Sequence, residues 1–398
     1  MAQPDKLLND LCPDGVEYKT LEELFLTRNG YTPSKKNPEY WRNGTIPWFR
    51  MEDIRANGRI LTQALQYVSD KAIKDKPFPA NSIIVATSAT IGEHALLTVE
   101  SLANQRFTYL ILNEQYRALF DIKFLYYYCF KLDEFCLQHL KLGNFASVDM
   151  SKFAKFLFPV PPLEVQQEIV RILDQFTQFT AELTAELTAE LTARKQQYEY
   201  YQTRLFTFAD NVQFLPLAQI AEIGTGSSNT NEELEDGKYP FFVRSQDVRR
   251  KNTYEYDETA IITSGDGVGV GKIFHYVEGK YALHQRAYRI HIIDDRVIPR
   301  FYYYYMRCTF LPYIEKASFH SSVTSIRRPM LNNFPVPLIS LPEQRRIVSI
   351  LDRFDALCND LTSGLPAEIA ARQKQYEYYR DKLLTFKERL TIKSQPPK

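Results

Sequence analysis

Arginine, lysine and hydroxyl side chains gather in three short stretches, and together they could hold a nucleic acid. Arg28, Lys35, Lys36 and Arg42 face one acid, Glu39. Arg244, Arg249, Arg250 and Lys251 face one acid, Asp247. Lys316, Arg327 and Arg328 lie in a stretch without any acid between residues 316 and 330. A guanidinium pairs bidentately with guanine, and lysine, serine and threonine anchor phosphates. In the first half the candidate contacts are Lys35, Lys36, Trp41, Arg42, Arg50, Ser88, Thr90 and Arg106. In the second half they are Arg244, Arg249, Arg250, Lys251, Lys272, Arg286, His320, Ser322, Thr324, Arg327 and Arg328. Ser88 and Thr90 come just after the apolar run Ile83 to Val85, and residues 319–328 form a polar loop between apolar stretches. Taken singly, each cluster is also what a solvated loop face looks like. Their presence in both halves of the chain favours binding.

Signals for catalysis are mostly missing. The glycines from Gly265 to Gly271, with Lys272 next, suggest a phosphate loop, but Asp266 and Ile273 stand where that pattern needs Gly and Ser or Thr. The alternating glycines suit a turn with close backbone approach. Asn37-Pro-Glu-Tyr40 resembles the Asn-Pro-Pro-Tyr motif of adenine methyltransferases, with Glu39 in place of the second proline. It has no glycine-rich strand–turn–helix to accompany it. The histidines show no His-x-x-x-His spacing, and the five cysteines show neither zinc spacing nor an even count. The expectation is a chain without catalytic residues and without a metal.

Composition narrows the class. The 398 residues carry a net charge of +1, which excludes a uniformly basic nucleic-acid binder and leaves local patches. With 44% hydrophobic and 24% charged residues, the chain is long enough and apolar enough for two or three globular domains. Its apolar runs, such as Phe124 to Phe130, are too short to span a bilayer. The first eleven residues lack the apolar region of a signal peptide, so a cytoplasmic location is expected.

Internal repetition sets the architecture. Residues 193–208 return as residues 371–386 with ten of sixteen positions identical. Phe158-Pro-Val-Pro161 returns as Phe334-Pro-Val-Pro337, and Leu173-Asp-Gln-Phe176 as Leu351-Asp-Arg-Phe354. Weaker echoes join Ile46–Phe49 to Tyr239–Phe242, Asn104-Gln-Arg106 to His284-Gln-Arg286, and Phe124–Tyr128 to Phe301–Tyr305. Each half is therefore a variable globular segment and then a similar helical one. The globular segments read as mixed and mostly β, with strands near 81–87, 260–263 and 288–293. Tyrosine-rich helices are predicted over 121–140 and 299–314, their tyrosines serving mainly in packing.

Residues 163–208 hold no proline and no glycine. Val165, Ile169, Ile172, Phe176, Phe179 and Leu183 keep heptad steps, and Ile350, Phe354, Leu357, Leu361, Leu365 and Ile369 stand at the matching positions of the second segment. Gly364 and Pro366 predict a kink or break in the second segment. Within the first lie three tandem copies of Thr-Ala-Glu-Leu, from Thr180 to Leu183, Thr184 to Leu187 and Thr188 to Leu191. These are strong helix formers, and each copy rotates its leucine about 40° from the last. Tandem copies are easily gained or lost, so they suit a length adjuster between two domains.

The arrangement resembles the DNA-specificity subunit of type I restriction–modification systems over nearly the whole chain. The resemblance is carried by Gly30 to Trp41 with Ile46 to Arg50, by the two Phe-Pro-Val-Pro segments leading into Leu163–Ile169 and Leu341–Ile347, and by the Thr-Ala-Glu-Leu copies, which are similar to those of the IC subclass. The second half departs at Gly224 to Asn229, which lacks the Thr-Pro-Ser and Tyr-Trp of the first. The resemblance implies an α+β fold. Two target-recognition domains, 1–157 and 212–333, are separated by antiparallel helical regions, 158–211 and 334–398, related by a pseudo-two-fold axis. It further implies a non-catalytic subunit that reads a bipartite duplex site. Two methyltransferase subunits, and through them two restriction or motor subunits, would supply the chemistry with S-adenosylmethionine, ATP and Mg2+. Two alternatives stay open on sequence grounds: a catalytic adenine methyltransferase with its own target domain, and a coiled-coil scaffold.

Overall fold

The computed structural model describes residues 11–141, 146–317, 325–359 and 363–389. His320, Ser322, Thr324 and Leu361 lie outside the described residues. Contacts divide the chain into two units, Met1–Leu183 with Arg372–Lys398, and Thr184–Ala371. Both therefore contain a globular segment and parts of both helical regions, so the sequence-based division at 157, 211 and 333 does not coincide with these units. A helix cannot bury an apolar stripe alone, and each stretch of helix closes on its neighbouring globular layer.

In the first unit a five-stranded sheet runs in the order Phe25–Asn29, Phe107–Leu112, Ser82–Ala86, His94–Leu97, Ile60–Leu61. A smaller sheet centres Ile46–Phe49 between Tyr67–Val68 and Leu102–Ala103. In the second unit six strands run in the order Ala221–Thr225, Ala287–Ile292, Tyr256–Ser264, Phe274–Leu283, Tyr239–Phe242, Arg249–Lys251. The runs expected near 81–87, 260–263 and 288–293 lie in these strands, where β-branched side chains pack on a pleated surface. Each repeated Phe-Pro-Val-Pro segment forms one strand of an isolated antiparallel ribbon, Leu157–Val160 on Glu17–Thr20 and Pro335–Leu338 on Gln213–Pro216. Prolines are tolerated there because one side of each strand is unpaired.

The longer helices among the described residues are α1 (Ile122–Gln138), α2 (Leu163–Leu205), α3 (Pro299–Ala317), α4 (Leu341–Asn359) and α5 (Leu365–Leu383). The second helical region is interrupted between α4 and α5, beside Gly364, as expected. The tyrosine helices α1 and α3 lie in the cores. Tyr127 and Tyr304 are buried and donate hydrogen bonds to the long-helix carboxylates Asp174 (2.8 Å) and Asp352 (2.5 Å). The same carboxylates take Lys123 at 2.7 Å and Arg300 at 3.0 Å. A second pair of anchors is neutral. Gln166 and Gln344 are fully buried at the starts of α2 and α4. The Gln166 amide donates to the carbonyls of Leu119 and Pro161, and its oxygen accepts from Asp121 N–H. Gln344 repeats the set with Arg296, Ile339 and Ile298.

Inside each unit the paired helices run antiparallel. In the first, Val165, Ile169 and Leu173 share a core with Leu384, while Thr177 and Phe176 meet Tyr376 and Tyr379. In the second, Phe206 shares a core with Ile347 and Leu351, and Tyr198 and Tyr201 lie against Phe354. Two expected seam positions are corrected, Phe179 and its repeat counterpart Leu357, which is 36% exposed. Phe179 is 63% exposed, and Leu173, absent from the heptad reading, is fully buried. The early turns of α2 are covered by α1 as well as by α5, so the apolar face is wider than a two-helix seam and a straight helix turns Phe179 out of it.

Candidate nucleic-acid interface

The first domain gathers its candidate side chains around one turn, Asn104-Gln-Arg106. Asn104 N–H donates to the Phe49 carbonyl at 3.0 Å, which ties the turn to the strand before Arg50. Thr87 N–H donates to the Arg106 carbonyl at 3.0 Å, which brings the Ser88 turn alongside. The Arg106 N–H is held by Asn104 Oδ1 at 3.0 Å, and Thr32 Oγ1 donates to Gln105 Oε1 at 2.5 Å. Gly30 packs against the carbonyls of Ala103 and Asn104, where a Cβ would come within 2.5 Å of both, so only glycine fits. The next loop carries Lys35, Lys36, Trp41 and Arg42 and closes on Trp48. Trp41 meets Trp48 edge to face at 5.0 Å, and the Arg50 guanidinium lies 5.5 Å from the Trp48 ring. Arg50 Nε is buried without a hydrogen-bond partner among the described residues.

The second domain repeats this construction at His284-Gln-Arg286. His284 N–H donates to the Phe242 carbonyl at 2.9 Å, and Gly265 N–H to the Arg286 carbonyl at 2.9 Å. His284 Nδ1 accepts the Arg286 N–H at 3.0 Å, and the Gln285 amide donates to Asn229 Oδ1. Burial, and then the charges of Arg244 and Arg286, lower the His284 imidazole below its ordinary value. It stays neutral, which keeps Nδ1 an acceptor. The turns before the two arginines also correspond: Ser88 bridges to Ser147, and Asp266 bridges to Ser325.

The expected cations divide by what holds them. Lys35, Lys36, Arg42, Arg106, Lys272 and Arg327 are exposed and form no ion pair among the described residues. The cluster at 249–251 is largely neutralised: Arg249 pairs with Glu233, Lys251 with Glu232, and Arg250 donates to the Gly237 carbonyl. Lys251 in turn holds the Glu232 carboxyl below its ordinary range. Arg328 donates to the Ile223 carbonyl. Arg244 and Arg286 meet on one acid, Asp266. Ser88 and Thr90 are half-buried beside Ala89, whose φ of 65° marks a tight turn. The sequence reading omitted Thr32, Gln105, Asn229, Gln285 and Asp266. The shared Gln-Arg of the two turns was the available signal for the glutamines.

Among the described residues no group of acidic, histidine or cysteine side chains is arranged to hold a metal, and all five cysteines are free thiols. No helix among them is long and apolar enough to cross a membrane.

A family model described as the type I restriction modification DNA specificity domain matches residues 13–193 and 209–371. The chain belongs to the type I restriction–modification specificity-subunit family. It is 41% identical to the type I restriction enzyme EcoprrI specificity subunit of Escherichia coli, over 87% of this chain and 89% of that one. It is 32% identical to the EcoR124I/EcoR124II specificity subunit of Escherichia coli, over 68% and 72%. A solved chain from work on complex assembly and conformational transition of the type I R-M system shares its fold, with a TM-score of 0.67 at 17% identity over 93% and 97%. The two globular segments of this specificity subunit are thus its target-recognition domains, and the Gln-Arg turns belong to them.

Proposed function

We propose that each recognition domain reads one half of a bipartite duplex site with the face that carries its Gln-Arg turn. The observation that carries this reading is the near bond-for-bond repetition of the turn in two domains whose surrounding loops differ. A shared frame with different loops is what two readers of different half-sites need. Lys35, Lys36, Arg42 and Arg106, exposed and without an ion pair among the described residues, suit phosphate contact in the first domain, and Lys272 and Arg327 suit it in the second. The Thr-Ala-Glu-Leu copies lie within the continuous helix α2 and set the spacer between the half-sites.

The chain recruits two methyltransferase subunits and, through them, two restriction or motor subunits, in the cytoplasm. Methyl transfer from S-adenosylmethionine to a flipped adenine, and ATP- and Mg2+-dependent motor work, belong to those partners. Recruitment of two equal partners is supported by exposed apolar side chains at matching repeat positions. Phe179 and Leu357 are 63% and 36% exposed, and Tyr200 and Tyr378 are 59% and 65% exposed. The test is a map of methylated adenines in cells producing this chain with its methyltransferase subunits. Two short specific blocks separated by an unspecified spacer are expected, and a contiguous motif would overturn the reading.

A further inference from the structure

We propose that Asp266 is a specificity-determining positioning residue, which holds Arg244 and Arg286 as a rigid pair to read guanine in the half-site of the second domain. The proposal rests on the reading that the Gln-Arg turn faces DNA, and it adds a division of labour between the two domains. Arg244 Nη1 donates to Asp266 Oδ1 at 2.7 Å, and Arg286 Nη1 approaches Oδ2 at 3.2 Å. One carboxylate therefore spans two guanidinium groups that come from different loops, and among the described residues the remaining side-chain N–H groups of each arginine have no hydrogen-bond partner. The main chain that carries the carboxylate is itself held. Ser264 Oγ donates to the Asp266 carbonyl at 2.8 Å, Ile326 N–H to the Gly265 carbonyl at 2.8 Å, and Gly265 N–H to the Arg286 carbonyl at 2.9 Å. Burial raises the Asp266 carboxyl, but Arg244 and Arg286 outweigh it and hold it below the ordinary carboxylate range, so it is ionised at neutral pH.

The first domain has Ser88 in the place of Asp266, with the same bridge to a later segment, and its Arg106 has no acidic partner among the described residues. The two arginines at the tips of equivalent turns thus differ in one respect. Arg106 is exposed and has no ion pair among the described residues, which suits a phosphate. Arg286 is tethered next to a negative charge, which repels phosphate and fixes the planar fork that matches guanine O6 and N7. A tethered fork also loses less rotamer freedom on binding, so more of its hydrogen-bond energy appears as discrimination.

The experiment uses the full chain assembled with its methyltransferase subunits, carrying Asp266→Asn, Asp266→Ser, Arg286→Ala or Arg106→Ala. The readouts are methylated-site maps, affinities for cognate and mixed-sequence duplexes, and their salt dependence. Asp266→Asn is expected to leave affinity for mixed DNA unchanged or raised, because a negative charge is lost. It should lower the ratio of cognate to mixed affinity roughly ten- to hundredfold and relax guanine at one or two positions of one half-site. Asp266→Ser, the residue of the first domain, should do the same and guards against a variant that fails to fold. Arg106→Ala should weaken all sequences together and reduce the salt slope by about one. If cognate and mixed affinities fall together in both Asp266 variants, or the motif is unchanged, the positioning role is refuted. If Arg286→Ala relaxes the motif while the Asp266 variants do not, the turn still reads DNA and only the role of Asp266 fails. If Arg286→Ala changes neither affinity, salt slope nor motif, the turn does not face DNA and the underlying reading fails with it.

Discussion

Replacing Gln166 by leucine keeps the side-chain volume and removes every polar contact at the root of α2. Three hydrogen bonds are lost, two to the carbonyls of Leu119 and Pro161 at 2.8 Å and one from Asp121 N–H at 2.9 Å. The site is fully buried, so water does not replace them. Each bond contributes about 0.5–1.5 kcal/mol, and a stranded buried donor costs about 1–3 kcal/mol. The loss of these partners is partly offset by the greater hydrophobicity of leucine. The net expectation is about 2–4 kcal/mol of destabilisation. Gln344→Leu should cost a similar amount, since Arg296, Ile339 and Ile298 occupy the equivalent places at 3.0, 2.8 and 2.7 Å. The assay is native-state hydrogen exchange, which reads each unit without assuming a single unfolding transition. Protection should fall in residues 119–173 for Gln166→Leu and in residues 296–351 for Gln344→Leu. A change below about 0.5 kcal/mol for either variant would show that the glutamines do not anchor the helices, since even one buried hydrogen bond contributes that much.

Three further outcomes are expected. Deleting Thr188–Leu191 shortens α2 by about 6 Å and rotates the downstream end of the helix by about 40°. One base pair advances DNA by about 3.4 Å and turns it about 35°, so methylated-site mapping should show a spacer one base pair shorter with both half-sites unchanged. An unchanged spacer would end the ruler idea. Lys35→Ala and Lys36→Ala should each reduce the magnitude of the salt slope by about one without altering the motif, whereas Arg249→Ala should change it less, because Glu233 already neutralises that charge. Salt titrations of duplex binding decide between them. The purified chain should neither methylate nor cut DNA, and incorporation of labelled methyl groups by the chain alone would transfer the chemistry back to it.

Much of the frame was legible in the sequence because repetition and periodicity are properties of the chain itself. The tyrosine helices, the strand at Ser82–Ala86 and the break beside Gly364 all rest on local chemistry that neighbouring residues decide. What escaped is long-range. Asp266 collects arginines 22 and 20 residues away on either side, and spacing alone gives no reason for them to meet. The basic run at 249–251 looked like a free patch because its neutralising acids, Glu232 and Glu233, lie in a different loop. The error over Phe179 has the same origin, since a heptad reading assumes one partner helix where the fold supplies a second covering element.

Interleaving the repeats has a cost during synthesis. The Tyr18 hydroxyl donates to the carbonyl of Phe386, 368 residues later, and Val16 N–H donates to the carbonyl of Lys387. At a translation rate of about 5–20 residues per second, Phe386 is made roughly 20–70 s after Tyr18. Until then the face formed by Val165, Ile169 and Leu173 lacks Leu384, which completes its core. The second unit, Thr184–Ala371, is one uninterrupted stretch and has all its contacts sooner. The order of closure on the ribosome is therefore inverted: the unit begun first is finished last. Through that wait an apolar surface is open to other nascent copies and to chaperones, and the yield of native chain depends on how it is shielded before the final helix arrives.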